Sequence, residues 1–322
     1  MAIFIDPPMW PAHATVWSHL ISDSSYDELH EFARRLALPR RSFDLDHYDV
    51  PASLFERAVA EGAVPVGSRD VVYLLQPSAL RVKHAHRERT RPIRRREYLR
   101  AQWALLGDVS GLAPTTDRSA AWLRLGDELL ARWNEQHRSY HDEIHLEDVL
   151  LALDHLDVRG ETIAHETLLA AWFHDAIYLG TDEDEAQSAT LAVASLDEIG
   201  AAPDLARRVG ELILATKPAH APAEASPPLA HLLDSDLAIF ASPTSRYQRY
   251  ADAVRSEYAH IEETMFRAGR SSILETYLQA PTIYRTQTAI DLWEQRARTN
   301  LLTEIEQLQA PGGGDTPHAT GA

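Results

Sequence analysis

The chain has 322 residues, more than a typical single domain, so two domains are expected. Its 45% hydrophobic residues allow a sizeable core, and the absence of cysteine excludes disulfides and thiolate metal sites. No apolar run of about 18 residues indicates a membrane span and no secretion signal is recognised, so we expect a cytoplasmic protein without a membrane partner.

The first part of the chain, residues 1–86, is predicted to be a small α/β domain because strand and helix patterns alternate there. Apolar spacing, and the prolines that follow, predict a strand over residues 2–5 and helices over residues 26–38 and 52–60. Residues 87–116 are predicted to be a basic connector between this domain and the rest of the chain.

The net charge of −17 is unevenly distributed. Residues 81–100 contain nine Lys/Arg and two acidic residues, whereas the remainder has 22 basic and 46 acidic residues. An acidic body repels nucleic acid, which is therefore not expected as a partner. The basic stretch is interpreted as a solvated connector that pairs with acidic neighbours, in preference to a phosphate-binding segment.

Residues 117–308 are predicted to form an all-helical domain, because apolar residues recur there at helical spacing. The predicted helices cover residues 120–134, 143–156, 162–178, 184–199, 204–216, 229–240, 245–267, 271–279 and 287–308. The last residues, 309–322, are Gly-rich without an apolar pattern and are predicted to be disordered.

Histidines and aspartates occur within three apolar segments, at residues 140–145, 170–175 and 232–237. A carboxylate on an apolar helix is costly unless it is paired or bound to metal, and this applies to Asp175 and Asp236. His141 and His145 are four residues apart and would share one helical face. A single residue of this kind is usually a core histidine or a helix cap, but the whole set favours a metal site.

The order His…His-Asp…Asp on a helical scaffold resembles the HD-domain superfamily of metal-dependent phosphohydrolases. Several motifs are similar to one subfamily of predicted bacterial HD hydrolases, and together they cover about residues 119–308. They are Tyr140-His141-x-x-x-His145, Phe173-His174-Asp175-x-x-Tyr178, Glu185-x-x-Ser188-Ala189, Thr216-Lys217-x-x-His220 and Asp234-x-Asp236-Leu237.

This resemblance implies a mononuclear metal site and a reaction class. The implied ligands of one divalent ion (Mn, Mg, Co, Ni, Fe or Zn) are His145, His174, Asp175 and Asp236. The implied substrate is a small phosphate ester such as a nucleotide, hydrolysed by a metal-activated water.

Four further residues are predicted to act on the substrate. Glu185 is the candidate for proton transfer, with the alternative that it is an ordinary acid in a first helical turn. Lys217 and His220 are predicted to meet an anionic substrate. His141 is predicted either to do the same or to orient His145.

Two rival functions follow from the same residues. One is a non-catalytic nucleotide or phosphate sensor, with the N-terminal domain as its output module. The other is a di-iron oxygenase on the same scaffold, which needs two further histidines between Asp175 and Asp236. Only His220 and His231 lie there, which disfavours a second metal.

Residues 1–85 resemble a different small domain without a known activity. The similar segments are Asp6-Pro7-Pro8-x-Trp10-Pro11, Trp17-Ser18-His19 and Phe43-Asp44-x-Asp46-His47-Tyr48-Asp49-Val50-Pro51. Six polar residues could form a second site at the strand ends: Asp6, His13, His19, Asp44, Asp46 and His47. The same segments also suit turns and caps, and the two interpretations are equally supported.

Overall fold

The structure, a computed structural model, describes residues 2–12, 15–113, 115–217 and 224–310. These residues are mainly helical with a small N-terminal sheet, which confirms the predicted class of a mainly α protein with an α/β N-terminal part. The strands are β1 (Ile3–Ile5), β2 (Trp10–Ala12), β3 (Thr15–Ser22), β4 (Tyr48–Pro51) and β5 (Val64–Pro65). The helices are α1 (Tyr26–Arg35), α2 (Phe55–Ala60), α3 (Ser68–Leu75), α4 (Arg87–Val109), α5 (Thr116–Arg132), α6 (Glu143–Asp157), α7 (His165–Phe173), α8 (Asp184–Glu198), α9 (Pro203–Leu214), α10 (Pro227–Asp236), α11 (Thr244–Glu257), α12 (Glu263–Gln279) and α13 (Gln287–Gln309).

The N-terminal sheet is organised around β3, which bonds three other strands. It runs antiparallel to β2, β1 and β4, and β1 also pairs in parallel with β5. The register places Leu20 opposite both Ile5 of β1 and Tyr48 of β4. All three side chains are buried, and α1 covers this face of the sheet with Leu29. The strand predicted over residues 2–5 is therefore confirmed as β1.

Two N-terminal helices are shorter than predicted. α1 ends at Arg35 rather than residue 38, because Ala37 has a φ of 55° and a right-handed helix cannot continue through that conformation. Residues 52–54 form a 3-10 turn, and α2 begins only at Phe55.

α4 and α5 are joined by a reciprocal pair of tryptophans. Trp103 and Trp122 stack with ring centroids 3.9 Å apart and an interplanar angle of 3°. Each indole N–H donates to the main-chain carbonyl of the other residue over 2.7 Å. A Cβ at Gly107 or Gly126 would come within 2.4 or 2.3 Å of these rings, so both glycines are required for the stack. The stretch predicted as a connector, residues 87–116, thus contributes to the core of the helical part.

The basic residues of α4 face acidic neighbours on both sides. Arg95 donates to Glu147 of α6 over 2.8 Å, and Arg87 forms an ion pair with Asp44 of the N-terminal unit. This pairing agrees with the interpretation of residues 81–100 as a basic segment that pairs with acidic neighbours. Through these ion pairs, α4 contacts both the N-terminal unit and the helical part.

The N-terminal unit also contacts α6 directly. The main-chain N–H of Arg40 donates to Oδ2 of Asp154 over 2.6 Å, and the Arg34 guanidinium lies 3.8 Å from Oδ1 of the same carboxylate. Asp154 therefore anchors the 3-10 turn that follows α1 to the helical part.

Every helix predicted from residue 120 onward has a counterpart among α5 to α13, with several changed boundaries. The helix predicted over residues 229–240 is α10, which ends at Asp236 before a 3-10 turn over residues 237–241, and the helix predicted over residues 271–279 is the second half of α12. The helix predicted over residues 162–178 is α7, which ends at Phe173 before the His-Asp pair. The helix predicted over residues 245–267 is interrupted, because α11 ends at Glu257 and α12 begins at Glu263. Residues 311–322 of the predicted disordered tail lie outside the described residues. None of the described helices is long and apolar enough to cross a membrane.

We predict that a fragment of residues 87–310 folds by itself and that a fragment of residues 115–310 is markedly less stable. The shorter fragment lacks Trp103 and leaves Trp122 unpartnered, and the loss of a buried tryptophan typically costs about 3–5 kcal/mol. Urea unfolding followed by circular dichroism measures the difference. Equal unfolding midpoints for the two fragments would show that α4 is dispensable.

Candidate metal centre

Four side chains from three helix ends meet in the helical part. His145 lies in the first turn of α6, which Asp142 caps by accepting main-chain N–H bonds. His174 and Asp175 directly follow α7, and Asp236 is the last residue of α10. Because side chains at helix ends are not confined to one helix face, the adjacent His174 and Asp175 can both reach the same point. We refer to His145, His174, Asp175 and Asp236 as the helical cluster.

The helical cluster encloses a space of the size of one ion. Nε2 of His145 lies 3.2 Å from Nε2 of His174 and 3.1 Å from Oδ1 of Asp236. Oδ2 of Asp175 lies 3.7 Å from Nε2 of His145 and 3.2 Å from Nε2 of His174. Oδ1 of Asp236 lies 3.6 Å from Nε2 of His174. Two ligands at about 2.1 Å from one ion are at most about 4.2 Å apart, so each of these five distances fits a shared ion. His145, His174 and Asp236 converge on one another, and Asp175 reaches the two imidazoles.

The donor set also fits a divalent metal. Nδ1 of His174 donates to the carbonyl of Ala171 over 2.9 Å, which leaves Nε2 with a lone pair for the cluster. Nδ1 of His145 is buried and has no hydrogen-bond partner among the described residues. Two imidazole nitrogens and two carboxylates, without sulfur, suit Mn, Fe, Co, Ni, Zn or Mg.

Charge within the cluster determines its protonation. Burial opposes the charged form of His174, but Asp175 and Asp236 outweigh it and raise the pKa of His174 well above its ordinary value. Burial acts to raise the pKa of Asp175, but His174 outweighs it and lowers that pKa to about 2. The pKa of Asp236 is lowered in the same way, against burial, by the two imidazoles. The metal-free cluster therefore holds a proton that a cation would displace.

One side of the helical cluster is open. The side chains of His145 and His174 are 2% and 1% exposed, whereas those of Asp175 and Asp236 are 16% and 25% exposed. The imidazoles thus lie on the buried side of the cluster, and the carboxylates lie on its solvent-exposed side. A small molecule can approach from the carboxylate side.

Arg138 connects the two segments that carry the cluster. Its side chain is fully buried, although nothing in the sequence distinguishes it from a surface arginine. One terminal nitrogen donates to the carbonyls of His141 and Asp175, each over 2.8 Å, and the other donates to the carbonyl of Ala176 over 3.1 Å. One guanidinium thereby fixes the loop before α6 against the end of α7.

His141 lies beside the cluster and is paired with a carboxylate. Its Nδ1 donates to Oε2 of Glu257 over 2.7 Å, and its ring stacks on Tyr178 with centroids 3.9 Å apart. The His141 and His145 rings are 5.7 Å apart. The predicted shared helical face of these two histidines is wrong, because α6 begins only at Glu143 and His141 belongs to the preceding loop.

Glu257 is a candidate site residue that sequence reasoning missed. Its Oε1 accepts the main-chain N–H groups of residues 139, 140 and 141 over 2.8, 2.7 and 3.0 Å, and its Oε2 also accepts the Tyr178 hydroxyl. Burial opposes its charge, but the bond from His141 outweighs it and lowers the pKa of Glu257 to about 2. It is therefore a carboxylate that holds His141 in one tautomer. In the sequence it is one acid among many at the end of an amphipathic helix.

The remaining predicted catalytic residues lie on neighbouring segments. Glu185 is in the first turn of α8, and its Oε2 is buried without a hydrogen-bond partner among the described residues. Nζ of Lys217 donates to the carbonyl of Asp182 over 2.5 Å. His220 lies outside the described residues.

His231 was considered as a ligand for a second metal. Its Nε2 instead bonds Oε2 of Glu161 over 3.1 Å. Among the described residues, the histidines of the helical cluster are His145 and His174, and His231 does not belong to it.

Comparison with known proteins concerns the N-terminal unit. Residues 3–78 match a family described as a protein of unknown function (DUF4031), a range that runs from β1 through α3. No curated protein and no solved structure matches the chain.

Replacing Asp175 by Ala is expected to remove bound metal from the helical cluster, because the remaining ligands cannot offset the cost of dehydrating the ion. The matched control is Asp204→Ala, at a side chain that is 82% exposed on α9. Metal analysis of each protein after loading and desalting measures the effect. Equal metal content in Asp175→Ala, His174→Ala and the control would show that these residues are not ligands.

Metal affinity is expected to increase with pH. Because the pKa of His174 is raised in the metal-free protein, each ion that binds must release a proton below that pKa. The dissociation constant should then fall by about tenfold per pH unit for each proton released, and level off once the pH exceeds the raised pKa. Calorimetric titration in buffers of different ionisation enthalpy counts the protons. A pH-independent affinity without proton release would contradict this electrostatic account.

Proposed function

We propose that the chain is a metal-dependent phosphohydrolase that acts on a small phosphate ester, such as a nucleotide. The observation that carries this proposal is the helical cluster, in which each of two carboxylates lies 3.1–3.7 Å from both imidazoles at three helix ends. A divalent ion bound there would lower the pKa of a coordinated water and offset the charge of a phosphoryl group.

The histidine–glutamate pair supports a role for His141 in proton transfer. Oε2 of Glu257 accepts a hydrogen bond from Nδ1–H of His141, and Nε2 of the same ring bonds none of the described residues. That nitrogen can accept a proton from the attacking water or give one to the leaving oxygen. Ring stacking on Tyr178 keeps the imidazole in place while its charge changes. We therefore assign proton transfer to His141 and describe Glu257 as its positioning residue.

Glu185 remains the second candidate for proton transfer. Its buried Oε2 has no hydrogen-bond partner among the described residues, and an unsatisfied buried carboxylate oxygen is unfavourable unless a ligand, ion or water meets it. Lys217 supports substrate binding less directly, since its ammonium already donates to Asp182.

Positive charge near α6 supports an anionic substrate. Asp148, almost one turn after His145, forms an ion pair with Arg246 of α11. Arg41 lies within electrostatic range of both residues and of Arg296. Glu147 lies within electrostatic range of Asp148 and Arg246 as well. The three guanidinium groups outnumber these two carboxylates, and positive charge beside the ligand helix suits a phosphate group. The net charge of −17 over the whole chain favours a small substrate over nucleic acid.

If His141 transfers the proton, His141→Gln and Glu257→Gln should lower kcat by about 10²–10⁴ without loss of bound metal. Glu185→Gln tests the second candidate, and Glu198→Gln, at an exposed position on the same helix α8, is its matched control. A screen of nucleotides and simple phosphate esters with Mn, Mg, Co and Ni supplies the substrate, and phosphate release measures turnover.

The outcomes separate the candidate roles. A loss of turnover in Glu185→Gln but not in His141→Gln would transfer the proton-transfer role to Glu185. A wild-type protein that binds a nucleotide tightly and releases no phosphate with any of these metals would contradict the hydrolase proposal and favour a sensor.

A further inference from the structure

The N-terminal unit contains a second group of metal-ligand side chains, far from the helical cluster in sequence. His19 of β3 and Asp49 of β4 are directly opposite each other in the antiparallel register. His47 immediately precedes β4, and its ring lies 4.9 Å from that of His19. We refer to His19, His47 and Asp49 as the strand site.

Both imidazoles of the strand site are oriented by buried carboxylates. Nδ1 of His19 donates to Asp6 over 3.0 Å, and Nδ1 of His47 donates to Asp46 over 2.7 Å. Asp6 is fully buried and Asp46 is 5% exposed. With Nδ1 engaged, Nε2 of each ring is the nitrogen that remains for a ligand. A carboxylate behind each histidine is the arrangement that fixes metal-binding imidazoles in proteins.

The two orienting carboxylates are themselves held by the main chain. Asp6 accepts the N–H of His19 over 2.5 Å and the indole N–H of Trp10 over 3.2 Å. Asp46 accepts the N–H of Val82 over 2.7 Å. These bonds fix the positions of both imidazoles relative to the sheet. The strand site is therefore built by the fold and is not a chance meeting of mobile side chains.

The charges around the strand site are unbalanced without a cation. Three carboxylates, from Asp6, Asp46 and Asp49, surround two imidazoles, so negative charge remains in excess even when both rings carry a proton. No Lys or Arg forms an ion pair with any of these three carboxylates among the described residues. A divalent cation bound where the ligand atoms converge would neutralise this excess negative charge.

We propose that the strand site binds a divalent transition metal through two histidines and one aspartate. One ligand atom from each residue lies within 4.8 Å of the others. Nε2 of His47 lies 3.5 Å from Oδ1 of Asp49, which is inside the limit of about 4.2 Å for two ligands of one ion. The side chain of Asp49 is 45% exposed and can adjust its position to a bound ion. Two imidazoles and one carboxylate suit Fe(II), Mn, Co, Ni or Zn and leave coordination positions open to an exogenous ligand.

Of the two interpretations of the polar N-terminal residues, the proposal takes up the binding site and assigns roles to the residues that form it. Asp6 and Asp46 orient the ligands instead of binding the metal, and Asp49 is a ligand that sequence reasoning did not select. Asp44 pairs with Arg87 and takes no part. His13 lies outside the described residues.

The test uses the full chain, stripped with a chelator and titrated with Co²⁺ alone while its visible absorption is recorded. The wild type should bind about two equivalents, and Asp175→Ala, which retains the strand site, about one. Adding Asp49→Asn or His47→Gln to Asp175→Ala should abolish the remaining equivalent. His84→Ala, at an exposed histidine near the start of α4, is the control and should bind like the wild type.

The two metal proposals fail in different ways. If the helical cluster binds no metal, the wild type and Asp175→Ala both bind about one equivalent, and Asp49→Asn removes it. If the strand site binds none, Asp49→Asn binds Co²⁺ with the stoichiometry and affinity of the wild type, and the inference is overturned. Because the side chain of Asp49 is partly exposed and bonds no main-chain group among the described residues, its Asn variant keeps the test valid even if His47→Gln does not fold.

Discussion

The arrangement of the helical part depends on the cost of burying charge. Two carboxylates, Asp175 and Asp236, lie between helices rich in Ala, Leu, Trp and Phe, and each needs a positive partner there. The imidazole of His174 supplies it in the metal-free protein by retaining a proton, and His145 lies 3.1 Å from Asp236. Every helix that carries one of these residues begins or ends at the cluster, because only a helix end lets the ligands converge. A bound cation would replace the proton without rearranging the helices.

Both parts of the chain orient an imidazole by the same physical means. Glu257 holds His141 and is itself held by three main-chain N–H groups, while Asp6 holds His19 and accepts an N–H from the same residue. In each case a buried carboxylate is stabilised by the main chain and determines which ring nitrogen carries the proton. The opposite nitrogen is then free of that carboxylate, and the roles we propose for it are proton transfer at His141 and metal binding at His19.

The fold class could be predicted because the helical spacing of apolar residues is a local signal. An aspartate such as Asp236 in an apolar segment favours a metal site for the same reason, but the choice of the four ligands came from the resemblance to the HD-domain superfamily. Arg138 and Glu257 could not be predicted, because their importance depends on carbonyl and N–H groups from segments distant in sequence. The packing of α4 in the core could not be predicted either. Its first half is polar and reads as a connector, whereas its second half contributes Trp103 to the core. Asp49 was missed because only the strand register places it opposite His19.

The most direct test of the account is anomalous diffraction from crystals of the full chain grown with Mn²⁺. The account predicts an anomalous peak bounded by His145, His174, Asp175 and Asp236, with metal–ligand distances of about 2.0–2.2 Å. At saturating Mn²⁺, the absence of a peak among these four side chains would contradict the central claim. So would a peak whose ligands exclude both His174 and Asp175.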